Sequence, residues 1–302
     1  MVERPVDPDS HPRIFFDLPP EVADPERAAA AILPVPYDAT SSWRKGADGG
    51  PAAILDASHY VEVWDIETAS EPWRRGIATL PPLACDGPPE ELARRVEASV
   101  GAVLERGQLP VVLGGEHSVT IGAARAAAAR FADASVLQID AHADTRESYH
   151  GSDHNHACVM ARVREHCPIV QVGIRSLDTA EAETLDTSRV LWAHEIAAER
   201  DDGWLRRAVD LLTDDVYVTI DLDGFDPSII PATGTPEPGG LDWYQVNALL
   251  SAVARARRVI GFDVVELLPG HPPSAFTAAK LIYRFLAEIF ARSRSAASGR
   301  TP

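Results

Sequence analysis

Short apolar runs alternate with longer amphipathic stretches from residue 30 almost to the C-terminus, and that alternation leaves the chain few architectures. AAILPV (30–35), PVVL (110–113), SVLQID (135–140), PIVQVGI (168–174), DVYVTIDLD (215–223) and RVIGFDVVEL (258–267) read as strands. Apolar residues at helical spacing predict a helix behind Pro51 and further helices over 91–107, 118–131, about 154–166, 178–186, 204–212, 241–257 and 274–293. Strands that are apolar nearly throughout need cover on both faces. The expectation is an α/β fold with one mostly parallel sheet between two helical layers. No internal repeat and no linker interrupts the pattern. It predicts a proline-rich irregular arm over 1–26, one α/β domain over 27–294 and a frayed tail over 295–302.

Composition narrows the partners. The formal net charge is −17, which argues against nucleic acid and anionic membranes, since both need basic patches. An acidic surface mainly keeps a protein soluble, and it also suits a cationic substrate or a metal ion. The three cysteines are odd in number and no pair has CxxC spacing, so a reducing compartment is expected. The polar N-terminus lacks the apolar core of a signal peptide, and no run approaches the ~20 apolar residues of a membrane helix. These features predict a cytoplasmic protein.

Chemistry is concentrated where strands end. In open α/β sheets ligands bind beyond the carboxyl ends of the strands. PVVL runs into GGEHS with His117, SVLQID into DAHAD, VYVTID into DLDGFDP, and FDVVEL carries Glu266. Asp140, His142 and Asp144 are spaced by two, as are Asp221 and Asp223. An extended backbone would aim each set at one face, with small Ala141 and Ala143 leaving room. Carboxylates converging in this way repel one another unless cations intervene. Four Asp with two His suit a pair of divalent ions. Mn2+ is favoured and Fe2+, Co2+ or Ni2+ are alternatives, while the lack of thiolates speaks against structural zinc.

These residues carry a resemblance. GGEHS, DAHADTRESYHG, NHACVM, VGIRS, TIDLDGFDPSIIPATGTPEPGG and GFDVVELLP stand in the order of the ureohydrolase family, which includes arginase, agmatinase and formiminoglutamase. The chain resembles it from about residue 30 to 290, most closely in its agmatinase branch, which PYDATSSWRKGADGGPAAIL also resembles. The resemblance implies a three-layer α/β/α, arginase-like fold and a binuclear manganese centre. His117 and Asp144 would serve one metal, His142 and Asp223 the other, with Asp140 and Asp221 bridging. His156 would move protons, Glu266 would grip the guanidinium, and Thr235 would line the pocket. A homo-oligomer, trimer or hexamer, is implied as well. Two departures stand out: Glu116 occupies a position where many members have Asp, and SDHN (152–155) falls in a segment that varies with substrate.

The expected reaction is agmatine plus water to putrescine plus urea, by attack of a metal-bridging hydroxide on the guanidinium carbon. Agmatine carries a second cation, and Glu147 and Asp153 are its expected partners. Alternatives are other guanidino substrates (guanidinobutyrate, aminopropylagmatine, arginine), a metal-dependent amide deacetylase, or a metal-binding subunit without activity. His150 and His154 compete with His156 for the proton-moving role. Cys158 reads as a small buried apolar residue rather than a nucleophile. Tyr37 and Trp43 read equally as pocket wall or packing, and Arg175 as a structural or subunit ion-pair residue.

Overall fold

A computed structural model of the chain describes residues 13–298. Eight strands form one sheet: β1 (Ala30–Val35), β2 (Ile77–Thr79), β3 (Leu109–Gly114), β4 (Ser135–Ile139), β5 (Ile169–Ile174), β6 (Val190–Trp192), β7 (Asp215–Asp221) and β8 (Arg258–Val265). Among the described residues nine α-helices accompany them: α1 (Gly50–Ser58), α2 (Pro89–Glu105), α3 (Val119–Arg130), α4 (Val159–Val163), α5 (Thr179–Thr184), α6 (Ala193–Ala198), α7 (Gly203–Asp210), α8 (Trp243–Ala256) and α9 (Pro272–Ser298). The first twelve residues of the expected arm and the last four of the expected tail lie outside the described residues. Helix α9 itself continues to Ser298.

The sheet order is β2-β1-β3-β8-β7-β4-β5-β6, and every pairing is parallel. The four strands with chemically loaded tips, β3, β8, β7 and β4, are therefore the four adjacent central strands. Nothing in the linear sequence specifies that order.

Two cores explain why the strands are apolar on both sides. On one face Val111 and Leu113 of β3, Val216, Val218 and Ile220 of β7, and Phe262 and Val264 of β8 pack against α1, α8 and α9. On the other, Val112, Tyr217 and Val265 meet Leu92, Val96 and Val100 of α2 and Ile121 of α3. Burying each large aliphatic side chain contributes about 1.5–3 kcal/mol, so the central strands hold both layers to the sheet. This is the expected α/β/α sandwich.

Several boundaries differ from the sequence reading. Strand β4 stops at Ile139, β7 at Asp221 and β8 at Val265, so Asp221 is the last residue of its strand and Asp140, His142, Asp144, Asp223 and Glu266 sit on turns and loops beyond theirs. The helix expected over 154–166 is a 3-10 turn, His156–Cys158, leading into the short α4. Strand β2 and helix α6 were not expected, because three and six residues are too few to show a period.

Candidate metal centre and its cavity

The strand tips meet in a cavity of about 250 Å³. Gly115, in the turn after β3, makes the approach possible. A Cβ there would lie 1.9 Å from the Tyr37 carbonyl oxygen, so only glycine lets the two loops pass. Behind it His117 is fully buried. Its Nδ1 faces three carboxylates: Asp144 Oδ2 at 2.9 Å, Asp140 Oδ2 at 3.2 Å and Asp221 Oδ2 at 3.5 Å. His142 Nδ1 lies 3.0 Å from Asp223 Oδ2 and 3.7 Å from Asp140 Oδ1. Two overlapping ligand groups result, His117–Asp140–Asp221 and Asp140–His142–Asp223, with Asp140 common to both. Asp144 joins the first through its contact with His117.

The convergence does not arise from an extended strand, as the spacing of two suggested. Asp140 Oδ1 accepts a hydrogen bond from the His142 N–H at 2.6 Å, which turns the chain just after β4. Asp144 has φ +52, a left-handed conformation that costs a non-glycine residue energy. Its carbonyl accepts from the N–H groups of Met160 and Ala161, tying the turn to α4. Asp221 accepts from the Asp223 N–H at 2.8 Å, capping a 3-10 turn. Glu266, also left-handed at φ +67, lies one residue past β8. Two strained backbones among the site residues fit a functional site whose surroundings fix the geometry.

The electrostatics are those of anions short of cations. Burial, together with the charge of Asp140, pushes Asp144 up to about 7. Burial and then the neighbouring Asp223, Asp140 and Glu266 raise Asp221 far above the carboxylate range. Burial also raises Glu266, with Glu116 adding to it. Burial works against protonation of His142, yet Asp223 and Asp140 carry it up to about 12. His117 Nδ1 is buried with no hydrogen-bond partner although it faces three acids. An orphaned imidazole nitrogen among crowded carboxylates is the donor set a divalent cation takes up, and the residues fit a metal pair.

His156 lines the same cavity, and its Nε2 is buried without a partner. Its Nδ1 lies 3.9 Å from Glu266 Oε1. Burial and then the charges of His117 and His142 hold its imidazole down at about 4. Glu116 organises the wall beside it. Its carboxylate accepts from the Thr40 N–H and hydroxyl, the Ser41 N–H and the Ser118 hydroxyl, and Thr40 Oγ1 in turn accepts from the His156 N–H at 2.9 Å. Thr235 lines the cavity, its hydroxyl 3.4 Å from Asp223 Oδ2.

Two expected substrate residues are elsewhere. Glu147 is exposed and pairs with Arg162 and Arg164 of the α4 segment. Asp153 pairs with His154 at 2.6 Å and Arg162 at 3.6 Å. Neither lines the cavity, because the arginines behind the loop turn both acids outward. Asp178 and Glu181 stand at the wall instead, with Arg146, Tyr149, Ser42 and Ser176. Arg146 approaches Asp178 at 3.2 Å and Glu181 at 3.5 Å and stacks 4.5 Å over the Tyr149 ring. A signal for these acids was present: DTAE (178–181) follows β5, a fifth strand tip, and forms a capping box on α5.

The remaining residues sort themselves. His154 bonds Asp153 and Arg125, and His150 stacks on Tyr149, so of these histidines His156 alone borders the cavity. Glu90, Asp153 and His154 also cluster, but Arg125 already reaches His154 and Arg162 lies 3.6 Å from Asp153. Cys158 is buried and its thiol is pushed up to about 11 by burial. Tyr37 is buried and Trp43 exposed. Arg175 forms no ion pair among the described residues. It donates to the carbonyls of Asp223, Gly224, Phe225, Glu237 and Pro238, clasping the β7 tip to the loop after Thr235.

Known proteins resemble this chain in sequence and fold. The arginase family model matches residues 28–290. An N(1)-aminopropylagmatine ureohydrolase of Synechocystis sp. is 40% identical over 272 residues, covering 86% of this chain and 88% of its own length. An agmatinase of Pyrococcus horikoshii is 34% identical over 276 residues, covering 89% and 94%. The crystal structure of agmatine ureohydrolase of Thermoplasma volcanium superposes with a TM-score of 0.84 at 33% identity, covering 91% of this chain and 94% of that one. The chain belongs to the arginase family.

Proposed function

We propose that this protein is a metal-dependent amidinohydrolase that splits agmatine and water into urea and putrescine. The observation that carries the reading is the meeting of two ligand groups, Glu266 and His156 on one cavity. His117, Asp140, Asp144 and Asp221 would hold one divalent cation, and Asp140, His142, Asp221 and Asp223 the other. Mn2+ is the proposed ion, because carboxylate oxygens outnumber imidazoles and no thiolate takes part. Bound there, the pair would supply a water of lowered pKa and positive charge for the transition state.

The chain's own residues do the rest. Glu266 Oε1 accepts from the His117 N–H at 2.8 Å, which fixes the carboxylate and leaves Oε2 for a guanidinium N–H. A resonance-stabilised guanidinium is a poor electrophile, so fixing its orientation matters. His156 Nε2, buried without another partner, would relay a proton to the departing amine, and a ring held down at about 4 would carry that proton only in passing. Asp178 and Glu181 replace Glu147 and Asp153 as proposed partners of the distal cation.

The N1-aminopropyl derivative of agmatine is the second reading, favoured by the name of the 40%-identical relative. Urea release by the manganese-loaded protein from agmatine, aminopropylagmatine, arginine and guanidinobutyrate tests both. Preference for either of the first two supports the proposal, and arginine preferred over both would sink it. Cytoplasmic residence is proposed on the three free cysteines. A homo-oligomer is proposed on exposed Tyr60, Trp64 and Ile66, to be checked by sedimentation.

A further inference from the structure

One buried acid takes no part in this chemistry. Asp263 on β8 is fully buried, and among the described residues no basic side chain pairs with it. Three hydroxyls donate to it instead: Thr219 to Oδ1 at 2.6 Å, and Tyr217 and Thr120 to Oδ2 at 2.9 and 3.0 Å. Thr219 Oγ1 also lies 2.9 Å from His117 Nε2. A continuous chain thus runs from Asp263 through Thr219 to the nitrogen of His117 that faces away from the ligand group.

We propose that Asp263, acting through Thr219, is a positioning residue that sets which nitrogen of His117 carries its proton and so makes Nδ1 a metal ligand. A carboxylate surrounded by hydroxyl donors is an acceptor throughout. The Thr219 hydroxyl has a single hydrogen, which it gives to Asp263 Oδ1. Its oxygen is then left to accept, so a neutral His117 ring keeps its hydrogen on Nε2. The Nδ1 lone pair is freed toward Asp140, Asp144 and Asp221, where this nitrogen is buried and unpartnered. Carboxylate-backed histidines of this kind hold the ring's tautomer and orientation in metal sites generally. Here a threonine is interposed.

The sheet is built around the chain of hydroxyls. Thr219 and Asp263 are register partners on β7 and β8, so their side chains share a face. That register depends on a one-residue bulge: Val216 pairs with Val259 but Tyr217 with Gly261, leaving Ile260 over. Without it Asp263 would be out of phase with Thr219. Gly261 leaves space for the Tyr217 ring, whose atoms lie 3.0 and 3.1 Å from where a Cβ would stand.

The inference rests on the metal reading, and the test separates the two. Metal-free protein is titrated with Mn2+, and bound equivalents are counted from the spin-resonance signal of the free ion. The unsubstituted chain should bind two. Thr219→Val keeps the side chain's shape and removes the hydroxyl. Asp263→Asn offers an N–H2 group where Oδ1 accepts, which would turn the Thr219 hydroxyl toward Nε2. Both should bind one equivalent as before and the other about 10–100-fold more weakly, and Thr219→Ser should restore two. If Asp263→Asn fails to fold, Thr219→Val decides. Two equivalents at unchanged affinity on Thr219→Val, or equal weakening of both sites, would overturn the inference. No manganese on the unsubstituted chain would overturn the metal reading and this inference with it.

Discussion

The floor of the cavity and its rim hold acids in opposite situations. On the floor Asp140, Asp144, Asp221, Asp223 and Glu266 are all buried, and no arginine or lysine pairs with any of them among the described residues. At the rim and on the surface just outside it the acids have arginines: Asp178 and Glu181 at the wall have Arg146, and outside it Glu147 has Arg162 and Arg164 and Asp153 has Arg162. Buried anions without counterions are costly, so the metal-free floor holds protons on its carboxyls and on His142, and a cation from outside would take their place. The rim is electrically complete, and there a substrate cation must compete with a resident arginine. On the proposed function, chemistry belongs to the floor and selectivity to the rim.

The sharpest way to break this contrast is at the floor. Asp221→Ala and His142→Ala should abolish urea release and reduce bound metal, read by elemental analysis. Normal metal content and turnover in either would remove the site assignment. His156→Ala should keep both metals and lose about 10²–10⁴-fold in kcat, the range expected for a general acid. If His154→Ala does so instead, the wrong histidine has been assigned.

The floor should also show in pH dependence. The folded pKa of Asp144 is raised to about 7, so between about 4 and 7 the native metal-free state binds more protons than the unfolded one. That contribution to stability is present at low pH and lost as pH rises through about 7. Metal must displace these protons and those on His142. The gap in Tm between manganese-loaded and chelated protein should therefore widen from pH 5 to pH 8. A constant gap would mean that the floor is not protonated without metal.

The smallest effects belong to the rim. Asp178→Asn should raise KM for a dicationic substrate by roughly tenfold, about the 1.4 kcal/mol of one charge-assisted hydrogen bond. Glu147→Gln should leave KM within about twofold, as loss of an exposed ion pair does. Equal effects of the two would erase the distinction between the cavity wall and the outer surface.

The floor was legible in the sequence and the rim was not, for physical reasons. Floor residues follow directly on buried strands, and an apolar run ending in DAHAD or DLD marks its own carboxyl end. The rim acids lie on the loop after β4 and at the start of α5. Whether Glu147 or Asp178 faces the cavity depends on where Arg146, Arg162 and Arg164 reach, and no local pattern encodes that. Even on the floor the mechanism of convergence differed. Asp144 arrives by a left-handed turn rather than by strand alternation.

By itself the sequence determined the α/β alternation, the parallel sheet covered on both faces, and the residue types at each strand tip, because hydrophobic period and strand-end chemistry are local properties. Tertiary structure alone decided that β3, β8, β7 and β4 are neighbours, that a bulge at Ile260 brings Asp263 to Thr219, and that Asp178 replaces Glu147 at the cavity wall. Strand order, register and side-chain reach are set by contacts between segments far apart in the chain.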